Sequence, residues 1–181
     1  KPLAMISGKP MIQHVFENAS KARCLDELIV ATDDSRIFEV VNGFGGKVIM
    51  TRKDHQSGSD RCNEVLQSLA SKQQVFDVAI NIQGDEPFLN PEQIEMLAQS
   101  FKEDDKTEIS TLIKKIDQSD ELFNSNVVKV VTDHNEMAIY FSRSPIPFYR
   151  DVDQKQWIDH HVFYKHIGIY GFQADILKGI T

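Results

Sequence analysis

Residues 78–87 read VAINIQGDEP, and the reading of this stretch decides the architecture of the chain. Val78 to Gln83 is a short apolar run of strand length, and Gly84-Asp85-Glu86-Pro87 ends it with a glycine, two carboxylates and a proline. A helical pattern follows, Pro91 to Phe101. The same alternation runs upstream. Leu28 to Thr32 is a strand that ends in Asp33-Asp34-Ser35, a helix start, with a helix over 35–43. Lys47 to Thr51 is another strand and 59–70 another amphipathic helix, while 10–22 shows helical spacing with Pro10 suited to a first turn. Strands alternating with helices at this spacing predict an α/β fold, a mixed and mostly parallel central sheet with helices on both faces. After about residue 108 the rhythm turns strand-like, at 109–116, 127–132, 137–142 and 166–172, so the second half is expected to be β-rich. The segment 150–165 reads as a polar excursion. Gly43-Phe44-Gly45-Gly46 follows a helix and precedes a strand, the order of a helix C-cap and turn and not of a phosphate-cradling loop.

The 181 residues are expected to form one domain over 1–181, long enough to bury a substantial core. Hydrophobic residues make up 41% and charged residues 26%, the balance of a globular protein. No apolar run approaches the roughly 20 residues of a membrane span, and no signal peptide is read at the start. The formal net charge of −7 argues against nucleic acid as a partner. Cys24 and Cys62 show no metal-ligand spacing and read as buried free thiols.

In sheets of this kind ligands bind at the carboxyl ends of the strands. Asp33, the loop 51–61 and Gln83 to Glu86 all fall there. On an extended backbone Gln83 and Asp85 share a face, and Gly84 leaves the main chain open to close approach. A carboxylate so placed can hold Mg²⁺, which takes one or two carboxylates together with substrate phosphates. The alternative is a solvated turn in which Asp85 or Glu86 caps the next helix. The loop TRKDHQSGSDR (51–61) gathers cationic and small hydrogen-bonding residues ahead of a helix, a pattern suited to an anion. Its bland alternative is a surface loop with a cap at Ser57 or Ser59. In HIGIY (166–170), His166, Gly168 and Tyr170 alternate with two isoleucines expected to face the core.

Taken in order, GKPMIQHV (8–15), IVATDD (29–34), MTRKDHQSGSDR (50–61), NIQGDEP (81–87), NVVKVV (126–131), YFSRSPIPFYRD (140–151) and HIGIYGF (166–172) resemble the 3-deoxy-manno-octulosonate cytidylyltransferases, or CMP-Kdo synthetases. The resemblance implies a nucleotide-diphospho-sugar transferase fold and formation of CMP-Kdo and pyrophosphate from CTP and Kdo. It also implies Mg²⁺ as cofactor, a homodimer, a cytoplasmic location and a place in lipopolysaccharide biosynthesis. Carried onto this chain, it makes Asp85 a metal ligand and, with Lys1, a catalytic residue. Gln83 would contact the sugar, His55, Ser57 and Gly58 would lie near the base and ribose, and Arg61 would face the anionic groups. Arg150, His166 and Tyr170 would hold Kdo, Arg150 through its carboxylate; Asp33 is a secondary candidate. Phosphoryl-type transfer rests on positioning and electrostatics, so no side-chain nucleophile is sought. The family's Arg-rich nucleotide loop would precede Lys1 and further sugar and metal residues would follow Thr181, so the chain reads as an internal piece, expected to be poorly active alone. Two rivals remain: a cytidylyltransferase for another acidic sugar such as sialic acid, and a non-catalytic nucleotide-binding relative. Asp159-His160-His161 lacks the partner carboxylates that a metal-dependent phosphoesterase needs.

Overall fold

The computed structural model describes residues 1–181. The chain opens with β1 (Met5–Ile6), β2 (Lys9–Pro10), α1 (Met11–Ala19), β3 (Val30–Thr32), α2 (Ser35–Gly43) and β4 (Val48–Met50). It continues through α3 (Gly58–Ala70), β5 (Val78–Asn81), α4 (Pro91–Glu103), β6 (Ile109–Lys115) and α5 (Ser119–Phe123). Last come β7 (Lys129–Thr132), β8 (Ala138–Ser142), a 3₁₀ turn at Gln154–Gln156, α6 (Trp157–His160), β9 (Tyr164–Gln173) and α7 (Ala174–Ile180). No helix is long and apolar enough to cross a membrane. Two compact units emerge, residues 1–110 with 169–181, and residues 111–168.

The first unit carries the strand–helix alternation. β1 and β2 form a hairpin through Ser7 and Gly8, whose φ angles of 48° and 83° match the left-handed positions of a two-residue turn. α1 buries Ile12, Val15 and Ala19, spaced along one helical face, and α4 buries Ile94 and Leu97 in the same way. Asp34 caps α2 by accepting from the Arg36 amide, and Arg36 in turn grips its carboxylate, holding that group down at about 2. α2 ends as expected at Gly43, and Gly45 takes a φ of 80° in the turn that follows. β3 pairs in parallel with β4, and β5 pairs antiparallel with the second half of β9, Asn81 opposite Tyr170. Apart from Thr32, all residues of β3 and β5 are half-buried, although helices flank both strands.

The second unit is a small β structure on its own core. β7 lies between β8 and the first half of β9, antiparallel to both. Lys129 is fully buried, and its ammonium donates to the carbonyls of Asn124, Val127 and Arg143. Burial pushes its pKa down, as expected for a cation leaving water. Ile116, Leu122, Trp157 and Phe163 form a closed apolar cluster, with the Trp157 indole N–H satisfied by the Val152 carbonyl.

Three expectations need correction. The segment 150–165 is not merely a polar excursion, because Trp157 and Phe163 anchor it in that cluster. The pairing is less parallel than expected: β3 with β4 is parallel, whereas β5–β9, β7–β8 and β7–β9 are antiparallel. The tight turn between β7 and β8 can join only antiparallel neighbours. Finally, the helix after the acidic turn is capped by Asn90, in a reciprocal box with Gln93, and not by Asp85 or Glu86. The two cysteines are free thiols as expected, each only half-buried.

Candidate active site

In the first unit a cavity of about 870 Å³ is lined by residues 28–31 and 78–83 among others. Its lining also includes Gly58, Arg61, Gly84 and Asp85, which with Asn81 and Gln83 supply polar groups and open backbone. Thus the structure brings together four of the expected residues, Gly58, Arg61, Gln83 and Asp85, around one opening. Asp85 and Gln83 are both exposed, and the Asp85 carboxylate makes no hydrogen bond or ion pair. The side chain projects, because Glu86 N closes a turn onto the Gln83 carbonyl and lifts residues 84 and 85 off the strand. No cluster of three or more His, Cys, Asp or Glu side chains could hold a metal ion. A lone, unengaged carboxylate fits a Mg²⁺ that draws its remaining ligands from phosphates and water, and does not fit an all-protein cage.

Arg61 is held from several sides. Its guanidinium donates to the Thr51 hydroxyl and, at 3.4 Å, to the Arg52 carbonyl, and it pairs with Asp33 at 3.4 Å. Asp33 therefore acts on the orientation of Arg61. Clamped in this way, a guanidinium keeps one geometry and needs little reordering to meet an anion.

Two residues of the loop 51–61, His55 and Ser57, are engaged within the protein, Ser57 in the cap that was one of the two readings of this loop. His55 is turned inward, its side chain 5% exposed, and Nε2 donates to Glu64. That bond, with the Arg52 amide, holds the Glu64 carboxyl below its ordinary range. Ser57 is engaged in capping α3: its hydroxyl accepts from the Asp60 amide at 3.1 Å, and Asp60 accepts from the Ser57 amide at 2.8 Å. Gly58 has a packing reason of its own. A Cβ there would stand 2.9 Å from Asn81 Nδ2, so glycine lets the start of α3 lie against the Asn81 side chain without displacing its amide.

Lys1 is exposed, and the chain beside it reaches the acidic turn. Pro2 Cγ lies 3.9 Å from the position a Cβ on Gly84 would take, and Ile12 Cδ1 lies at 3.3 Å. Tyr170 sits across from Asn81 on β9, half-buried, with its hydroxyl pKa pushed up by burial. Asn81 is a lining residue that the sequence analysis did not single out. The signal was available, since a polar side chain inside the apolar run VAINIQ has no packing reason to be there.

His166 and Arg150 belong to the second unit. The Thr111 hydroxyl bridges His166 Nε2 and the Ile167 carbonyl, and Phe141 packs edge-on against the imidazole at 5.3 Å. Burial lowers the imidazole pKa, which favours the neutral ring at pH 7. Arg150 is 89% exposed and paired only with its neighbour Asp151 at 3.1 Å, so its guanidinium is accessible. His160 and His161 pack with Tyr149, at ring distances of 6.0 and 6.3 Å.

A family model described as cytidylyltransferase matches residues 1–180. The 3-deoxy-manno-octulosonate cytidylyltransferase of Parabacteroides distasonis is 48% identical over the whole of this chain, which spans 71% of that protein. The chain belongs to the 3-deoxy-manno-octulosonate cytidylyltransferase family. The member from Thermodesulfovibrio yellowstonii is also 48% identical, with 72% of its length matched. Among solved structures, a CMP:2-keto-3-deoxy-manno-octonic acid synthetase complexed with CTP superimposes with a TM-score of 0.88 at 42% identity, covering 99% of this chain and 70% of that one. A 4-diphosphocytidyl-2C-methyl-D-erythritol synthase from Anaerococcus prevotii, at 13% identity and a TM-score of 0.56, shares the fold. This cytidylyltransferase family has the nucleotide-diphospho-sugar transferase fold expected from the sequence, and Arg61, Gln83 and Asp85 all line the cavity described above.

Proposed function

We propose that this chain is a CMP-Kdo synthetase, which joins CTP to Kdo and releases pyrophosphate. The observation that carries the reading is the 48% identity, over the entire chain, to enzymes of that name. In the reaction the anomeric hydroxyl of the sugar attacks the α-phosphorus of CTP. A new P–O bond forms, the bond to the bridging oxygen breaks, pyrophosphate leaves with that electron pair, and the hydroxyl proton passes to solvent. Arg61, fixed by Asp33 and Thr51, offers a positioned positive charge to the triphosphate, and Lys1 offers a second. Gln83 donates and accepts hydrogen bonds to the sugar, and Arg150 takes the sugar carboxylate by a two-pronged contact. His166 and Tyr170 add polar contacts to the same sugar, and Ser57 and Gly58, with His55 behind them, border the base and ribose. Asp85 is the residue that would hold Mg²⁺, whose chemistry when bound is to neutralise the phosphates and the departing pyrophosphate. The same reading includes a homodimer, a cytoplasmic location and supply of Kdo to lipopolysaccharide.

The test is pyrophosphate release from CTP with Kdo and, side by side, with sialic acid, together with calorimetric titration of CTP. Even slow release that depends on Kdo and not on sialic acid supports the assignment. Release with sialic acid alone, or CTP binding without turnover on either sugar, would assign the chain to another substrate or to a non-catalytic role.

A further inference from the structure

We infer that Thr111 is a positioning residue for the sugar: its hydroxyl fixes which nitrogen of His166 carries the ring proton, so that the imidazole meets a hydroxyl of the sugar and not its carboxylate. The inference rests on the proposed placement of His166 at the sugar and deepens it. A hydroxyl has one proton to give. Thr111 Oγ1 lies 3.2 Å from the Ile167 carbonyl, which can only accept, and 2.9 Å from His166 Nε2. With its proton given to the carbonyl, Oγ1 must accept from the ring, and Nε2 is the nitrogen that carries the N–H. The reverse arrangement, with Oγ1 donating to Nε2, would set the Oγ1 lone pairs against those of the carbonyl oxygen at 3.2 Å.

The surroundings keep that arrangement in place. Thr111 lies in β6, which pairs with β9, and a β-branched side chain on a strand has few rotamers open to it. The His166 amide donates to the Val128 carbonyl at 2.8 Å, and Phe141 stands edge-on to the imidazole at 82°, so backbone and ring plane are both set. Burial favours the neutral imidazole, in which one nitrogen donates and the other accepts. Nδ1 is then the accepting nitrogen. Whatever meets it from a ligand must donate, as a sugar hydroxyl does and a carboxylate cannot, which leaves the carboxylate to a cation such as Arg150.

Thr111→Val removes the hydroxyl at nearly constant volume, and Thr111→Ser restores it. Histidine-selective nitrogen NMR at about pH 8, above the ordinary imidazole value, reads the tautomer. The His166 signals are identified by their loss in His166→Gln, and thermal melts verify folding. The wild type and Thr111→Ser are expected to carry the proton on Nε2, and Thr111→Val to shift toward the Nδ1–H form. In Thr111→Val, KM for Kdo (or its dissociation constant, where turnover is too slow to follow) should rise about tenfold, roughly the loss of one hydrogen bond. KM for CTP should stay nearly unchanged, and Thr111→Ser should return the value for Kdo. A wild-type ring protonated on Nδ1, a tautomer that Thr111→Val does not move, or an unchanged KM for Kdo in that variant would overturn the role of Thr111 while His166→Gln still weakens Kdo. If His166→Gln leaves KM for Kdo unchanged, the placement of His166 at the sugar fails, and the positioning role falls with it.

Discussion

A carboxylate that is exposed and makes no hydrogen bond or ion pair, as Asp85 is, adds little to stability, so its role can be separated cleanly from folding. Asp85→Asn is expected to lower kcat by at least about a hundredfold while unfolding free energy stays within about 0.5 kcal/mol. Normal turnover at ordinary Mg²⁺ would remove this residue from the chemistry. Arg150 offers a similarly clean experiment, because its ion pair with Asp151 is almost fully solvated and worth little. Arg150→Ala should raise KM for Kdo at least about tenfold and leave KM for CTP nearly unchanged; an equal rise for both would contradict its assignment to the sugar. His166 gives the pH dependence. Its folded pKa lies below the ordinary value of 6.5, so the unfolded chain binds the proton more readily. Its contribution is therefore fully present above pH 6.5 and is lost as the pH falls from there through the folded value. His166→Gln should flatten that part of a stability-versus-pH profile obtained by denaturant melts, and an unchanged slope would assign the acid sensitivity to other groups.

At the scale of elements, α3 joins the two sides of the candidate site, since its first turn carries Gly58 and Arg61 and its later turns bury Val65 and Leu69. The capping box at its start should be worth about 1 kcal/mol, so Ser57→Ala is expected to lower the melting temperature by roughly 2–4 °C. If Ser57 also borders the nucleotide, KM for CTP rises beyond what the lost cap explains, and calorimetry at low temperature separates the two effects. The strands and long helices were legible because each writes its period into several residues. The 35–43 helix and the start of the 91–103 helix emerge where their caps and turn residues predict. The hairpin at Ser7-Gly8 was missed because its strands are only two residues long and carry no alternation. α5 and α6 were missed because a single turn or so of helix has no measurable period, and Trp157 alone signalled a core.

For the whole molecule, what the sequence could supply about the site was the identity of residues at strand ends, and what it could not supply was their partners. Gln83 and Asp85 could be placed at the opening from their neighbours in the chain. That His55 turns toward Glu64, or that Asp33 clamps Arg61, depends on residues brought together by folding. The division into units belongs to the same class of information, since a local pattern does not reveal which strands share a core. One consequence is built into the cavity lined by residues 28–31 and 78–83. Strands at the heart of a unit usually trade their amide hydrogens for deuterium last, after the helices around them have opened. Here residues of both segments line that cavity, so part of β3 and β5 should label early, ahead of the helix turns that carry Ile94 and Leu97, and a ligand that fills the cavity should slow that labelling while leaving the hairpin of β7 and β8, in the other unit, unchanged.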